Sequence, residues 1–281
     1  MPKNHDHSSH PTDDALPAWY TTSGNAFPMY EHLSSQGFPT VKQLHDGILL
    51  GCLGYALWQA ITRGQGAGCD WDADTYIDDN EQGERWSVTF RPEGAVAVFY
   101  SSESKRNPFP KESPPYELER FFQGMPAALQ TAKERALSYM INLDWEMGGP
   151  NAAITSAMWA SGEQFTANES WDTVFHESAW ACYQQLLPLA VALVEWRKHF
   201  SLNDDEVAVL LSLYQSRLSS KEPMVRALPK DRDAILRRCE GSLPASWWGV
   251  PTLTAAREAI PASDGIAAVR QALASVGIAL D

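Results

Sequence analysis

Apolar residues recur at helical spacing over most of this chain and at a period of two over one short central stretch. The longest helical pattern runs from Val41 to about Thr62. Leu44, Ile48, Cys52, Ala56 and Ala60 fall on successive turns of one side, and Leu49, Leu53 and Leu57 widen that stripe. Thr40 stands where a hydroxyl caps the first turn. Gly47, Gly51 and Gly54 lie inside the pattern. Each glycine costs helix stability, so the pattern predicts a helix against which another element packs closely.

From Trp86 the period changes to two. Trp86, Val88 and Phe90 alternate with Ser87, Thr89 and Arg91, and Pro92-Glu93-Gly94 supplies a turn. Over Ala95 to Tyr100, Val96, Val98 and Tyr100 then alternate with Ala97 and Phe99. This predicts an antiparallel hairpin, which is too weak to stand alone and needs helices or further strands against it. Residues 101–115 read as a polar, proline-bearing connector.

The remainder reads mainly as helix: Tyr116 to Gln123, Ala127 to Trp145, and Ser170 to His199 with a kink at Pro188. Asn203 with Glu206 has the spacing of a capping box for a helix reaching Leu218. Shorter helices are expected over 230–240, 252–260 and 263–276, the last capped by Ser263. Ala152 to Ala160 fits strand or helix, and Met147-Gly148-Gly149-Pro150 interrupts the pattern. The expected fold class is α+β, predominantly α-helical, with one antiparallel β-hairpin or small sheet packed on helices. Residues 1–17, polar and carrying His5, His7 and His10, read as a disordered tail. Residues 18–281 read as a single globular domain with a sub-boundary near 148–150.

Composition narrows the partners. A chain of 281 residues with 44% hydrophobic content can bury a large core without covalent staples. A formal net charge of −13 disfavours nucleic acid and anionic membrane surfaces and favours a basic protein or a cation. The apolar run from Ile48 to Ile61 is too short and glycine-rich to span a bilayer. Met1 to Pro17 has no apolar segment of the secretory type. Cys52, Cys69, Cys182 and Cys239 form no C-x-x-C pair and read as free thiols. A cytoplasmic location is therefore expected.

The densest chemical signal is the segment from Asp70 to Glu84, which carries seven acids before Arg85. Within it, Asp70, Asp72, Asp74, Asp78 and Glu81 occupy positions 1, 3, 5, 9 and 12 of a twelve-residue frame, and the spacing resembles an EF-hand calcium loop. The resemblance implies calcium held by those five side chains and the Tyr76 carbonyl, with Ile77 at the hydrophobic position. Three features depart from it. Thr75 replaces the turn glycine, a glycine-rich stretch over 64–68 precedes the segment instead of a helix, and a strand follows it. The alternative is an acidic face for a basic protein partner, formed by Asp70, Trp71, Asp72, Asp74, Tyr76, Asp78, Asp79, Glu81 and Glu84.

Catalytic signatures are sparse. His176-Glu177-Ser178-Ala179-Trp180 begins like H-E-x-x-H, but Trp180 stands where the second ligand belongs. Asp172 and His176, one turn apart, fit either an oriented general base or a helical surface pair. Asp144 and Glu146 precede a glycine pair and fit either a carboxylate site or an ordinary helix end. G-x-S-x-G, Walker and G-x-G-x-x-G patterns are missing from the sequence. Eleven tryptophans raise a sugar-binding reading, although only Trp247 and Trp248 are clustered, and Trp171, Trp180 and Trp196 read as structural. The functional expectation is a non-catalytic acidic protein-binding protein without a cofactor, in one concrete form an immunity-type inhibitor of a basic toxin. The alternatives are a calcium-binding protein or metal-dependent enzyme using 70–81, and an enzyme with a site near Asp172 and His176.

Overall fold

Strand pairing organises the centre of the molecule. The computed structural model describes residues 16–17, 19–20, 27–62, 68–80, 82–109, 116–141, 152–240 and 262–280. An antiparallel sheet runs in the order β1 (Cys69–Asp72), β2 (Thr75–Asp79), β3 (Glu84–Arg91), β4 (Gly94–Ser101) and β5 (Ser156–Ala160). The expected α+β class holds, but the sheet has five strands, more than the hairpin or small sheet expected, and helix predominates only modestly among the described residues. The hairpin read from period-two alternation is its centre, with Trp86 opposite Phe99 and Arg91 opposite Gly94 across the turn. Ala152 to Ala160 resolves in favour of strand, where Met158 pairs with Ala97.

Both faces of β4 are buried, as its near-continuous apolar sequence requires. Ala95, Ala97 and Phe99 join Tyr76, Trp86 and Val88 in one core cluster. Val96, Val98 and Tyr100 face the other way, onto Phe121 and Phe122 of a 3₁₀ turn (Leu118–Phe122) and Ala132 and Ala136 of α3 (Gln130–Leu137). The short helix expected over 116–123 is thus a 3₁₀ turn. The one expected over Ala127 to Trp145 opens as a 3₁₀ turn and, among the described residues up to Ile141, keeps α geometry only over α3.

The larger helical layer is built around α2 (Val41–Thr62), whose ends match the sequence pattern and whose Thr40 hydroxyl accepts from the Gln43 amide at 2.9 Å. Residues on every side of α2 are buried, as expected of a central helix. The three glycines mark its closest neighbours. A Cβ at Gly47 would stand 1.8 Å from the Gln185 carbonyl oxygen, one at Gly51 2.9 Å from the Trp196 ring, and one at Gly54 2.7 Å from the Phe200 ring. Preceding α2 is a helix that the pattern did not disclose, α1 (Phe27–Ser35).

The single long helix expected over Ser170 to His199 is four pieces. They are α4 (Trp171–Glu177), a 3₁₀ turn (Ala179–Cys182), α5 (Tyr183–Leu186) and α6 (Leu189–His199). The first break falls at Ser178, whose hydroxyl is drawn to Ser156 of β5 at 2.7 Å. The second falls at Pro188, which cannot donate to the preceding turn and instead opens α6, its carbonyl accepting from Val191 and Ala192 at 2.9 Å each. Then come α7 (Asp204–Ser219), α8 (Pro229–Glu240) and α9 (Ala262–Ser275). A two-stranded parallel pair, β6 (Val225–Arg226) and β7 (Ile278–Ala279), joins distant parts of this region. The capping box at Asn203 is complete, with Asn203 accepting from the Glu206 amide at 3.0 Å and Glu206 accepting back at 2.8 Å. The break at 148–150, the helix at 252–260, Trp247 and Trp248, and Asp144 and Glu146 lie outside the described residues. So does the proposed tail, apart from Leu16 and Pro17. Among the described residues no helix is long and apolar enough to cross a membrane.

Candidate functional site

The acidic segment folds as a β-hairpin, not as a loop. Asp70 pairs with Ile77, Trp71 with Tyr76 and Asp72 with Thr75, and the chain turns at Ala73, whose φ is +55°. Alternation then separates the acids. Asp70 and Asp72 share one face, while Asp78, opposite Cys69, belongs to the other. Residues 70–80 therefore do not wrap around one point as a calcium loop does. Tyr76 lies mid-strand, with β1 on one side and β3 on the other, so its carbonyl serves the ladder. Glu81, the twelfth position, lies outside the described residues. Among the described residues no group of three or more His, Cys, Asp or Glu is placed to hold a metal ion.

Three of the acids are locally matched by arginine. Asp72 accepts from Arg135 at 2.8 Å and from the Tyr139 hydroxyl, and these two, the tyrosine first, hold its carboxyl below its ordinary range. Asp74 pairs with Arg91 at 2.9 Å, and Asp79 accepts from Arg85 Nε at 2.8 Å. The negative face read from the sequence is thus partly neutralised from α3 and from β3 itself.

Asp78 and Glu84 meet, together with the arginine-paired Asp79, at a cavity of about 640 Å³ lined by residues of α2, β2, β3, the 3₁₀ turn at Ala179–Cys182, α5 and α6. Asp78, Asp79 and Glu84 line it together with Tyr76. Opposite and around them stand Trp58 of α2, Trp86 of β3, Trp180 of the 3₁₀ turn and Trp196 of α6. Gln184, Gln185 and His199 complete the polar part of the wall. Asp70 and Trp71 instead line a neighbouring cavity of about 460 Å³ against α9. Asp72 and Asp74 line neither of these two cavities.

Local desolvation by surrounding protein atoms shifts two titratable groups of the large cavity. Burial pushes the Asp78 carboxyl up to about 6, against the hydrogen bond that its Oδ2 accepts from the Tyr76 hydroxyl at 2.8 Å. Crowding by neighbouring protein atoms also lowers His199 below its ordinary value, against the pull of Glu195, although the residue keeps an exposed side. His199 meets the Trp196 ring edge-on at 5.5 Å between centroids, so its imidazole stands among aromatic rings. The indole nitrogens of Trp86 and Trp196 and Oε1 of Gln185 are buried without a hydrogen-bond partner among the described residues. A buried polar atom without a partner costs stability, so each of these three is a point where a hydrogen-bonding group from a ligand would be favoured.

Sequence reasoning reached Tyr76, Asp78, Asp79 and Glu84 but missed Trp58, Trp180, Trp196 and His199, which only the breaks at Ser178 and Pro188 bring to one place. The alternative pair, Asp172 and His176, faces solvent with side chains 69% and 57% exposed, and His176 bonds to the Asp172 carbonyl at 2.9 Å. That is a helical surface pair rather than a cleft. No family model, curated protein or solved structure matches this chain.

Proposed function

We propose that this chain is a non-catalytic binding protein that captures a basic protein, an inhibitor of the immunity type, by taking a lysine or arginine side chain into the acid-lined aromatic cavity. One observation carries this reading: Asp78 and Glu84 converge with four tryptophans on a single cavity of about 640 Å³. Aromatic faces attract a desolvated cation, and carboxylates in a low-dielectric wall attract it further. The volume lies within the range of a ligand site, roughly 300–1,000 Å³. An ionised Asp78 is costly in this wall and stabilised by an entering cation, so occupancy and ionisation favour each other. The net charge of −13 adds long-range attraction for a basic partner.

Tryptophans in the wall provide the assay. Intrinsic fluorescence is titrated at low salt with a short oligoarginine peptide, an oligolysine peptide and a neutral trisaccharide. The expected result is saturable quenching by a basic peptide that is lost in the Asp78→Asn, Glu84→Gln double variant. No saturable response to either basic peptide, or an unchanged response in the double variant, overturns the reading. A response to the trisaccharide alone replaces it with sugar binding.

A further inference from the structure

Two of the four cysteines are in contact. Sγ of Cys69 at the start of β1 lies 3.6 Å from Sγ of Cys52 on α2, and the residues are 17 positions apart in the sequence. We propose that Cys52 and Cys69 form a redox site, a dithiol that closes reversibly to a disulfide by exchange with the disulfide of a small-molecule thiol.

Placement supports this in two ways. Cys52 is buried and lines only the smaller of the two cavities, whereas Cys69 is half-buried and lines both, so a small disulfide reaches Cys69 first. Cys69 and Cys52 then stand at thiol–thiol contact, and little more than an ångström and a half separates that from a disulfide bond of about 2.05 Å. The other two cysteines are placed differently. Cys182 is buried and its thiol donates to the Ala179 carbonyl at 3.1 Å, and Cys239 is buried on α8.

The exchange balances. Cys69 loses its proton to solvent and its sulfur attacks the small disulfide, forming a mixed disulfide and releasing one thiolate. Cys52 loses its proton and attacks the Cys69 sulfur, forming the Cys52–Cys69 bond and releasing the second thiolate. The protein pair gives up two electrons, the small disulfide takes them, and the two released thiolates take up two protons. Neighbouring Cys52 and burial push the Cys69 thiol well above its ordinary value, so the first step runs through a minor thiolate and is slow. Closure ties β1 to α2 at the partition between the two cavities, where Gly68 and Tyr55 also line both.

The test treats the purified full chain with glutathione disulfide and follows intact mass and peptide mapping. The expected result is loss of two hydrogens, a cross-linked peptide containing Cys52 and Cys69, full recovery on adding dithiothreitol, and a melting temperature about 5 °C higher in the oxidised form. The Cys69→Ser variant, its fold checked by circular dichroism, should keep its full mass or gain only glutathione adducts. An unchanged mass in the wild type, a stable mixed disulfide on Cys69 without closure, or a two-hydrogen loss persisting in Cys69→Ser overturns the proposal.

Discussion

Replacing Asp78 by asparagine should stabilise the protein above neutrality and leave it unchanged in acid. The carboxyl has an ordinary value of 3.8 and stands at about 6 in the fold, raised chiefly by burial. The sign follows from proton linkage. A group whose folded value is raised contributes stability that is fully present below its unfolded value near 4 and is lost as pH rises through about 6. Each pH unit separating the two values is worth about 1.4 kcal/mol, so the wild type should lose up to about 3 kcal/mol across this window. Asparagine cannot ionise, and its amide oxygen still accepts from the Tyr76 hydroxyl. The wild-type and Asp78→Asn unfolding free energies should therefore coincide near about pH 4 and diverge to at most about 3 kcal/mol near about pH 8. Urea titrations followed by far-ultraviolet circular dichroism at several pH values measure the difference. A difference that stays constant with pH refutes the reasoning, because it would show that burial does not bias the ionisation of Asp78. The proposed ligand mode adds a corollary. Oligoarginine affinity should rise as pH passes through about 6 in the wild type and stay flat over that range in Asp78→Asn.

Three further substitutions probe the frame that holds the cavity. Arg238 of α8 is buried, pairs with Glu206, and donates to the Leu57 carbonyl at 2.7 Å and the Phe200 carbonyl at 3.1 Å. Arg238→Ala strands Glu206 and both carbonyls and should cost about 3–5 kcal/mol in urea unfolding; a loss below 1 kcal/mol would mean that water replaces the arginine. Gly47→Ala drives a methyl into the Gln185 carbonyl and should cost about 1–3 kcal/mol by thermal unfolding. Because Gln185 lines the cavity, the same variant should also weaken oligoarginine quenching, and an unaltered melting curve would disprove the close approach of α5. Asn203→Ala removes the cap of α7 and should cost about 1 kcal/mol, with Asn203→Gly less affected.

Local patterns in the sequence determined α2 and its cap, the β3–β4 hairpin with its two faces, and the capping box of α7, because each of these is written in short-range periodicity or in a side chain that bonds its own helix end. The acidity of 70–84 was equally legible, and so was the close approach at Gly47, Gly51 and Gly54, since buried glycines in a helix need a neighbour to offset their cost. Tertiary structure decided what the acids do. Alternation in β1 and β2 sent Asp78 to one face and Asp70 and Asp72 to the other, and arginines from α3 and β3 then neutralised Asp72, Asp74 and Asp79. Breaks at Ser178 and Pro188, with a change from 3₁₀ to α geometry at Tyr183, turned one apparent helix into four pieces, which carried Trp180 and Trp196 to the same cavity as Trp58 and Trp86. The contact between Cys52 and Cys69 arose in the same way. Period reports which side of an element is apolar, whereas the meeting of side chains from different elements depends on register, chain breaks and packing, which no local spacing encodes.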